Sequence, residues 1–353
     1  MTLYDRVADI PLVVEGYGLS RLEGETSSDF TRVSTVFALE GPDATGYGED
    51  VTYDTPDHEA LQDAHDSGER FPLAGEYTLD SFSAMLDDVD LFPTKDPDRE
   101  VFRHYRRWAL ESAALDLALR QAGETLAGVF ERAYDPVEFV VSTRLGEPPT
   151  TDRVERVLAV HDDLEFKLDP TPEWDRALAE RVAELAPVRI LDLKGLYEGT
   201  EVDADPEPEF YELVLETFPD AVVEDPNFTE ETRPLFEGHE GRVSWDYPIT
   251  GVDSVEELPF EPDWLNIKPS RFGTVESLLD TLEYAFERDI SLYGGGQFEL
   301  GVGRRQLHAL ASVFYPDAPN DLAPRGYNTP EVQADAPASP LAPPADPAGL
   351  DWE

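Results

Sequence analysis

Cysteine is absent from this 353-residue chain, and lysine occurs only four times, as Lys95, Lys167, Lys194 and Lys268. The absence of cysteine excludes a disulfide framework and a thiolate metal site. Long apolar runs are also missing, and the first residues, MTLYDRVADIPLVV, lack both a basic region and a long apolar core. The sequence therefore predicts a soluble cytoplasmic protein without a membrane-spanning segment.

Basic residues are scarce as a whole, because 27 lysines and arginines face 76 aspartates and glutamates, for a formal net charge of -49. A disordered acidic tail is one interpretation. The apolar fraction of 41% and the aromatic fraction of 10% contradict it, since such a chain can bury a core. Acid spread along a chain with few lysines is instead typical of adaptation to high salt. The charge also argues against nucleic acid and anionic membranes as partners.

The spacing of apolar residues changes along the chain and predicts parts of unequal size. Residues 10–55 alternate as strands do, and the glycines of ATGYGEDVTY indicate a hairpin. Residues 78–132 have helical spacing, with serine as the expected N-cap of SFSAMLDDVDLF. A long amphipathic helix follows in REVFRHYRRWALESAALDLALRQAG.

Seven short apolar runs begin at about residue 136 and are separated by helical stretches. This repeated strand–helix unit predicts a parallel sheet that closes into a (β/α) barrel, and an open doubly wound sheet is the alternative. The glycines of YGGGQFELGVG fit neither a P-loop nor a dinucleotide fingerprint. The tail from residue 326 is rich in proline and alanine, so we expect it to lie extended over the surface or to be partly disordered.

Charged side chains mark the ends of five successive predicted strands. In a parallel barrel these ends face one mouth, where active sites lie. Three carboxylates on three neighbouring strands are flanked by a lysine on each side. In chain order the ends carry Lys167, Asp192, Glu224, Asp246 and Lys268, and Lys194 stands two residues after Asp192.

Three carboxylates around one axis suit a hard divalent cation. Mg²⁺ is the expected ion, with water or substrate filling the octahedron, and Mn²⁺ is the alternative. Without the ion the clustered carboxylates would raise one another's pKa. A small carboxylate substrate on the ion would have its α-proton acidified, because the enediolate charge falls on the metal. The predicted metal ligands are Asp192, Glu224 and Asp246.

The two flanking lysines are the predicted catalytic residues. Lys167 and Lys268 would stand on opposite faces of the substrate. Desolvation and a nearby cation both lower the pKa of a lysine, which makes it a usable base near neutral pH. Arginine cannot give up its proton, which explains why lysine persists at this rim.

Each of these residues also has a simpler explanation. A carboxylate at one strand end is more often a helix N-cap or a salt-bridge partner than a ligand. The ordered series of lysine, aspartate, glutamate, aspartate and lysine is much harder to reach by accident, so the joint functional interpretation is favoured. Lys194 stays open between a structural cation and a substrate contact.

The motifs around these residues resemble the enolase superfamily, in its muconate cycloisomerase-like branch, over nearly the whole chain. TGYGED resembles the glycine-rich hairpin and glutamate of the superfamily's capping domain. WALESAALDLALRQAG resembles the helix that leads into its barrel, and AGLDWE resembles its closing segment. VVEDP resembles the segment of its second metal ligand. NIKPSRFG resembles its sixth-strand lysine and is particularly similar to o-succinylbenzoate synthases.

The resemblance implies an α/β fold, a modified (β/α)7β TIM-type barrel with an N-terminal α+β capping domain. The expected division is a capping domain at 1–135, the barrel at 136–325 and a C-terminal segment at 326–353 that packs on the capping domain or is partly disordered. It also implies Mg²⁺ on the three carboxylates and the lysines as acid and base. Two flexible capping loops, EGYGLSRLEGETSSD and VTYDTPDHE, would contact the substrate. The resemblance also implies a homo-oligomer.

Several positions depart from the pattern of the superfamily. Its Lys-x-Lys on strand two has Glu165 in the first position, and Lys194 replaces the asparagine of its Asp-x-Asn. Tyr247 follows the third ligand where glutamate is frequent. Gln297 and Glu299 stand in a glycine-rich segment that replaces a serine-rich strand end. These five residues are the predicted substrate-binding or supporting residues.

The sequence therefore favours a Mg²⁺-dependent isomerase or lyase. It would abstract a proton α to a carboxylate through an enediolate intermediate, and the product would form by racemisation or epimerisation, dehydration or cycloisomerisation. A non-catalytic relative, with Lys194 in place of the charge of the metal, is the alternative and would act as a ligand-binding or structural module. An acidic scaffold is favoured only if the strand-end residues do not converge.

Overall fold

The computed structural model describes residues 1–197 and 206–352. Within these ranges a two-stranded and a three-stranded antiparallel sheet with flanking helices come first, and a parallel sheet of seven strands follows. The elements of the first part are β1 (Pro11–Val14), β2 (Gly16–Glu25), β3 (Thr31–Glu40), β4 (Thr45–Asp50), α1 (Thr55–Ser67), β5 (Gly75–Thr78), α2 (Leu79–Leu86), α3 (Val101–Ala122) and α4 (Leu126–Val129).

The second part alternates strands and helices as its sequence pattern predicts, except that two 3-10 turns, Arg233–Phe236 and Glu240–Arg242, stand between its fourth and fifth strands in place of an α-helix. Its elements are β6 (Val140–Thr143), α5 (Asp152–Leu158), β7 (Glu165–Leu168), α6 (Arg176–Leu185), β8 (Val188–Asp192), α7 (Pro208–Thr217), β9 (Val222–Glu224), β10 (Val243–Trp245), α8 (Val252–Glu256), β11 (Trp264–Ile267), α9 (Pro269–Phe272), α10 (Val275–Glu287), β12 (Ser291–Gly294) and α11 (Val302–Phe314).

The parallel sheet runs from β6 to β12 in sequence order. Its two edges meet at a short segment that follows α11. Asn320 bridges to Phe139, just before β6, and Asp321 bridges to Gly295, just after β12. Backbone hydrogen bonds of 2.8 Å hold this segment on both sides. The sheet is therefore closed as a (β/α)7β barrel, which confirms the predicted fold class and excludes the open sheet.

Two glycines of β4 let helix α3 approach the antiparallel sheet closely. A Cβ at Gly46 would lie 2.2 Å from the carbonyl oxygen of Ala113, and one at Gly48 would lie 1.9 Å from that of Ala109. The β3–β4 turn lies before them, at residues 41–44. The hairpin prediction is confirmed, but these glycines serve helix packing rather than the turn.

The N-cap of α2 differs from the prediction. Thr78, and not Ser81, caps the helix. The Thr78 hydroxyl accepts from the backbone N–H of Ser81 at 3.2 Å, and the Ser81 hydroxyl accepts from the N–H of Thr78 at 2.8 Å. This reciprocal capping box satisfies two backbone donors that the first helical turn leaves free, so the helix begins earlier than the apolar pattern alone indicates.

The two segments predicted as flexible loops contain more helix and strand than expected. Most of EGYGLSRLEGETSSD is strand β2, which pairs with β3 along its whole length. The tip of this hairpin is fastened to the barrel side, because the Ser27 N–H donates to the Asn328 carbonyl at 2.8 Å and the Phe30 ring packs on Phe298. VTYDTPDHE runs from the end of β4 into α1. The loop character predicted for the first segment was wrong, because most of it is a paired strand, whereas residues 51–54 of the second segment lie outside helices and strands. Contact of either segment with a substrate stays a prediction.

The C-terminal segment packs on both parts of the molecule. Leu341 pairs with Val137 through two backbone hydrogen bonds. The buried Leu350 donates its N–H to Asp116 of α3, and Asp351 forms an ion pair of 2.6 Å with Arg305 of α11. The segment therefore ties α3 to α11, while the boundaries at residues 135 and 325 stay a prediction.

No described helix combines the length and the apolar character that crossing a membrane requires.

His308 should make the stability of the protein pH-dependent. It is buried in α11, and its Nε2–H donates to the Leu322 carbonyl at 2.7 Å. Burial lowers the pKa of His308 from 6.5 to about 4. The unfolded chain therefore binds this proton at higher pH than the folded chain, and the free energy of unfolding falls as the pH drops from 6.5 to about 4.

The expected loss from His308 is roughly 3 kcal/mol across that window. We expect His308→Gln, whose amide can still donate to Leu322, to remove this part of the slope in urea unfolding measured at several pH values. The difference should be clearest above pH ~5, before most carboxylates begin to titrate. Equal slopes for both proteins would contradict the assignment.

Candidate functional site

Three buried carboxylates converge at the mouth of the barrel. Asp192 ends β8, Glu224 ends β9, and Asp246 directly follows β10. One oxygen from each lies within 4.8 Å of the others, and all three side chains are fully buried. Neighbouring parallel strands bring their carboxyl ends to one edge, so these predicted ligands meet although they are far apart in sequence.

The two predicted catalytic lysines hold these carboxylates from either side. The Lys167 ammonium lies 2.5 Å from Glu224 Oε1 and 3.3 Å from Asp192 Oδ2. Lys268 directly follows β11, and its ammonium lies 2.7 Å from Asp246 Oδ2. Both lysines are buried. The five residues that the strand-end pattern selects therefore form one continuous charged cluster.

Lys194 belongs to the same cluster. Its ammonium forms an ion pair with Asp192 Oδ2 and lies 3.8 Å from Asp169 Oδ2. The backbone of Lys194 is left-handed, with φ of 54°, a conformation that residues other than glycine rarely adopt. This turn brings the ammonium back towards Asp192. Of the two roles predicted for Lys194 from the sequence, its contact in the structure is that of a structural cation.

The cations and burial pull the pKa values of the cluster in opposite directions. Burial raises the pKa of Glu224, and the charges of Asp192 and Asp246 raise it further. Burial acts on Asp192 in the same sense, but Lys194 and Lys167 outweigh it and hold the pKa of Asp192 below its usual range.

Lys167 differs from the expectation of a lowered pKa. Burial alone would lower it, but Glu224, Asp192 and Asp321 together raise the pKa of Lys167 well above its usual range. Asp321 Oδ2 lies 3.3 Å from the ammonium. In this arrangement the Lys167 ammonium is enclosed by three carboxylates, and Lys194 shares one of them, Asp192.

A layer of polar side chains beneath the cluster fixes Glu224. The Tyr293 hydroxyl donates to Glu224 Oε2 and lies 2.5 Å from the Ser244 hydroxyl. The Asn266 amide donates to the same Glu224 oxygen at 3.1 Å. Ser244 and Asn266 stand two residues before Asp246 and Lys268, so they point to the same side of their strands.

A second group of contacts fixes Asp246. Asp225 has a left-handed backbone, with φ of 48°, and its carboxylate accepts the backbone N–H groups of Asp246 at 2.9 Å and Tyr247 at 2.8 Å. Burial, with Asp246 and Asp192, raises the pKa of Asp225 to about 7. Arg271 donates to the carbonyls of Asp246 and Tyr247 at 3.1 and 2.5 Å. The strand end is therefore held from two sides.

Aromatic hydroxyl groups stand around the cluster. Tyr197 donates to Asp246 Oδ2 at 2.9 Å, and its ring packs on the half-exposed ring of Tyr247. From the first part of the chain, Tyr53 donates to Gln297 Oε1 at 3.0 Å. Arg32 holds the segment before Tyr53 by donating to two carbonyls, and it lies over the Tyr53 ring. Side chains from both parts of the molecule thus line the mouth.

The predicted supporting residues lie in different places. Gln297 is near the mouth, and Glu299 accepts its backbone N–H at 2.7 Å and pairs with Arg304. Glu165 is not brought to the cluster, because its partly exposed carboxylate pairs with Arg189 at 2.6 Å. A separate open cleft of about 810 Å³, between the β3–β4 turn and residues 347–349, contains no residue of the cluster.

Several site residues were missed in the sequence. Asp321 lies in the short closing segment of the barrel, and a two-residue bridge leaves no periodic signal. Arg271 stands within the quoted NIKPSRFG but attracted no prediction. Asn266 and Ser244 could have been found, because their strands place every second side chain on one face.

The donor set fits a divalent cation. Carboxylate oxygens are the ligands that Mg²⁺ prefers. The buried Asp246 Oδ1 has no hydrogen-bond partner among the described residues, and an unsatisfied buried carboxylate oxygen is costly. Lys268 uses the other oxygen of Asp246, so Oδ1 is free to accept an ion.

Comparison with known families places the sequence. Residues 5–129 match the N-terminal domain, and residues 133–329 the C-terminal domain, of a family described as a domain of unknown function, DUF8230. The chain belongs to the DUF8230 family. A search of curated proteins finds no match.

Solved structures show that this DUF8230 protein has the fold of the enolase superfamily. An enolase-superfamily member from Listeria innocua has a TM-score of 0.67 at 17% identity, covering 96% of this chain and 94% of its own. A mandelate racemase/muconate lactonizing protein from Herpetosiphon aurantiacus has a TM-score of 0.67 at 18% identity, covering 96% and 97%. A dipeptide epimerase from Enterococcus faecalis has a TM-score of 0.64 at 15% identity, covering 96% and 99%.

Removal of the Tyr293 hydroxyl should weaken the support of Glu224. Tyr293→Phe leaves the buried Ser244 hydroxyl without this partner and Glu224 Oε2 with Asn266 alone. We expect the free energy of unfolding in urea to fall by about 1–3 kcal/mol. Tyr47→Phe is the matched control, since its half-exposed hydroxyl makes no hydrogen bond among the described residues, and it should change stability by less than ~0.5 kcal/mol. Equal effects of the two substitutions would contradict the role of Tyr293.

Proposed function

We propose that this DUF8230 protein is a Mg²⁺-dependent enzyme that abstracts a proton α to the carboxylate of a small substrate. The observation that carries the proposal is the meeting of Asp192, Glu224 and Asp246 with Lys167 and Lys268 in one buried cluster. The reaction would be a racemisation or epimerisation, a dehydration or a cycloisomerisation. The fold shared with racemases and epimerases supports this class of reaction but does not select among its members.

The three carboxylates would hold the cation, with Mn²⁺ as an alternative ion. When bound, the cation would supply the positive charge that stabilises negative charge developing on the substrate carboxylate. Asp225, Tyr293 and Asn266 would keep the ligands in position through the hydrogen bonds described above. The substrate would enter from the side of Tyr53 and Tyr247.

The two lysines would move the protons. Lys167 comes from β7 and Lys268 from the end of β11, with the three carboxylate-bearing strands between them. This separation supports a role on opposite faces of the substrate, one lysine taking the α-proton and the other donating or holding a proton. Both lysines are paired with carboxylates in the structure, Lys167 with Glu224 and Lys268 with Asp246, and together they would serve as the acid and the base.

Substitution of either lysine tests the proton transfer. We expect Lys268→Ala and Lys167→Ala each to lose turnover by about 10²-fold or more. The readout is deuterium incorporation from heavy water, or product formation, with acid sugars, dipeptides and succinylbenzoate-type acids in high salt with Mg²⁺. Lys95→Ala, which removes a lysine that pairs with Asp54 and Asp57 away from the cluster, is the control. Activity in the Lys167→Ala/Lys268→Ala double variant would refute the assignment.

Calorimetric titration with Mg²⁺ tests the ion site independently of any substrate. We expect one bound ion per chain in high salt, and we expect Glu224→Gln to abolish the binding because it removes a charged ligand. Glu165→Gln is the matched control, since its carboxylate pairs with Arg189 outside the cluster. Unchanged binding after Glu224→Gln would show that the ion lies elsewhere.

A second candidate function has one observation in its favour. Lys194 already compensates Asp192 in the structure, as a non-catalytic ligand-binding or structural module would require. Failure of the native protein and its variants to bind Mg²⁺ would favour this candidate. The cytoplasmic location, the adaptation to high salt and a homo-oligomeric state stay predictions.

A further inference from the structure

Among the three predicted ligands and the described residues around them, Asp192 differs in that a single residue engages both of its oxygens. The Lys194 backbone N–H donates to Asp192 Oδ1 at 3.1 Å, and the Lys194 ammonium pairs with Oδ2. Asp246, in contrast, keeps Oδ1 without a hydrogen-bond partner among the described residues. A cation at the cluster therefore competes with the Lys194 ammonium for Asp192, and two positive charges at one oxygen would repel each other.

A second carboxylate, that of Asp169, lies close to the Lys194 ammonium. Asp169 directly follows β7, and its Oδ2 lies 3.8 Å from Lys194 Nζ and 3.1 Å from Arg144 Nε. Its other oxygen, Oδ1, is buried and has no hydrogen-bond partner in the described part of the chain. A buried carboxylate oxygen without a partner is costly, so Asp169 offers an unused site for an ammonium close to the present position of Lys194.

We infer that Lys194 is an internal cation that exchanges between two carboxylates. Without a divalent ion it compensates Asp192, and when the ion binds it moves to Asp169. The inference rests on the proposed function, because it assumes that the ion binds at Asp192.

The chemistry of lysine suits this exchange. Its ammonium is a compact charge on a flexible four-carbon chain, whereas the planar guanidinium of arginine needs a fixed two-point partner. The side chain of Lys194 is 16% exposed, more than the 1% of Lys167, which gives it room to move. The left-handed backbone at Lys194 orients its side chain between the carboxylates of Asp192 and Asp169. Such backbone conformations are typically retained at functional sites.

The exchange would keep the cluster charge-balanced in both states. A metal-free cluster of carboxylates would otherwise hold uncompensated buried charge, which is strongly destabilising. With the ion bound, Lys194 would remain paired, now on Asp169 beside Arg144. Its ammonium would also leave Asp192 free to act as a ligand. Lys194 would therefore set the affinity for the ion rather than exclude it.

Mg²⁺ titration calorimetry on four proteins tests the inference: the native chain, Lys194→Met, Asp169→Asn and the double variant, all in high salt. We expect Lys194→Met to tighten Mg²⁺ binding between about 5-fold and about 150-fold, the usual range of coupling between two sites. Asp169→Asn should weaken binding several-fold in the native background, because the displaced ammonium loses its second partner. In the Lys194→Met background the same substitution should change the affinity by less than about 2-fold.

The double-variant comparison separates exchange from a general effect of charge. If Asp169 acts only through its long-range field, Asp169→Asn weakens binding equally in both backgrounds, and the exchange is refuted. Asp152→Asn, which removes an exposed carboxylate on α5, measures the effect of net charge alone and should leave the affinity unchanged. Lys194→Gln repeats the test if Lys194→Met does not fold, as judged by circular dichroism.

The remaining outcomes distinguish this inference from the proposed function. Unchanged affinity after Lys194→Met refutes the exchange and leaves the ion site intact. Binding by Lys194→Met but not by the native chain also refutes it, because Lys194 then blocks the site without leaving it. Absence of binding in all four proteins overturns the proposed function itself. A thermal unfolding midpoint of Lys194→Met that is lowered without Mg²⁺ and restored by it would support the exchange by a readout other than affinity.

Discussion

The mutual compensation of buried charges at the barrel mouth is the constraint on which the rest of the site depends. Three carboxylates lie fully buried within 4.8 Å of one another, a placement that would be prohibitive without cations. Lys167, Lys194 and Lys268 supply those cations from three strand ends, and Arg271 adds a fourth. The barrel can keep such a group only because its strands fix every member at the same edge.

Supporting contacts extend this balance outwards in two directions. Below the cluster, Tyr293 and Asn266 satisfy one oxygen of Glu224 inside the barrel. Above it, hydrogen bonds hold the first part of the chain against the barrel. Glu49 of β4 accepts three backbone N–H groups at the start of α11, where an anionic side chain is favoured. The residues that surround the mouth are therefore positioned by rigid elements, which favours precise placement of the charged groups.

The shared fold and the local chemistry carry different information about this DUF8230 protein. Structures at 15–18% identity share nearly its whole architecture, because a closed parallel barrel tolerates many sequences that keep its apolar pattern. The residues around Asp192, in contrast, are particular to this protein and are not implied by its fold. Lys194, with its left-handed backbone and its two carboxylate neighbours, gives the cluster an internal cation at a position where the resemblance leads one to expect asparagine. The activity must therefore be argued from these residues and not from the fold.

The sequence by itself determined the seven parallel strands and the five charged strand ends, because both follow from local periodicity and from the rule that parallel strands end at one edge. It did not determine that the capping segments are ordered, that Thr78 caps α2, or that Glu165 pairs away from the cluster with Arg189. Asp321, Tyr53 and Asp169 joined the site only through contacts between distant parts of the chain. Tertiary structure decided these points, because which cation compensates which buried carboxylate depends on distances that no local pattern encodes.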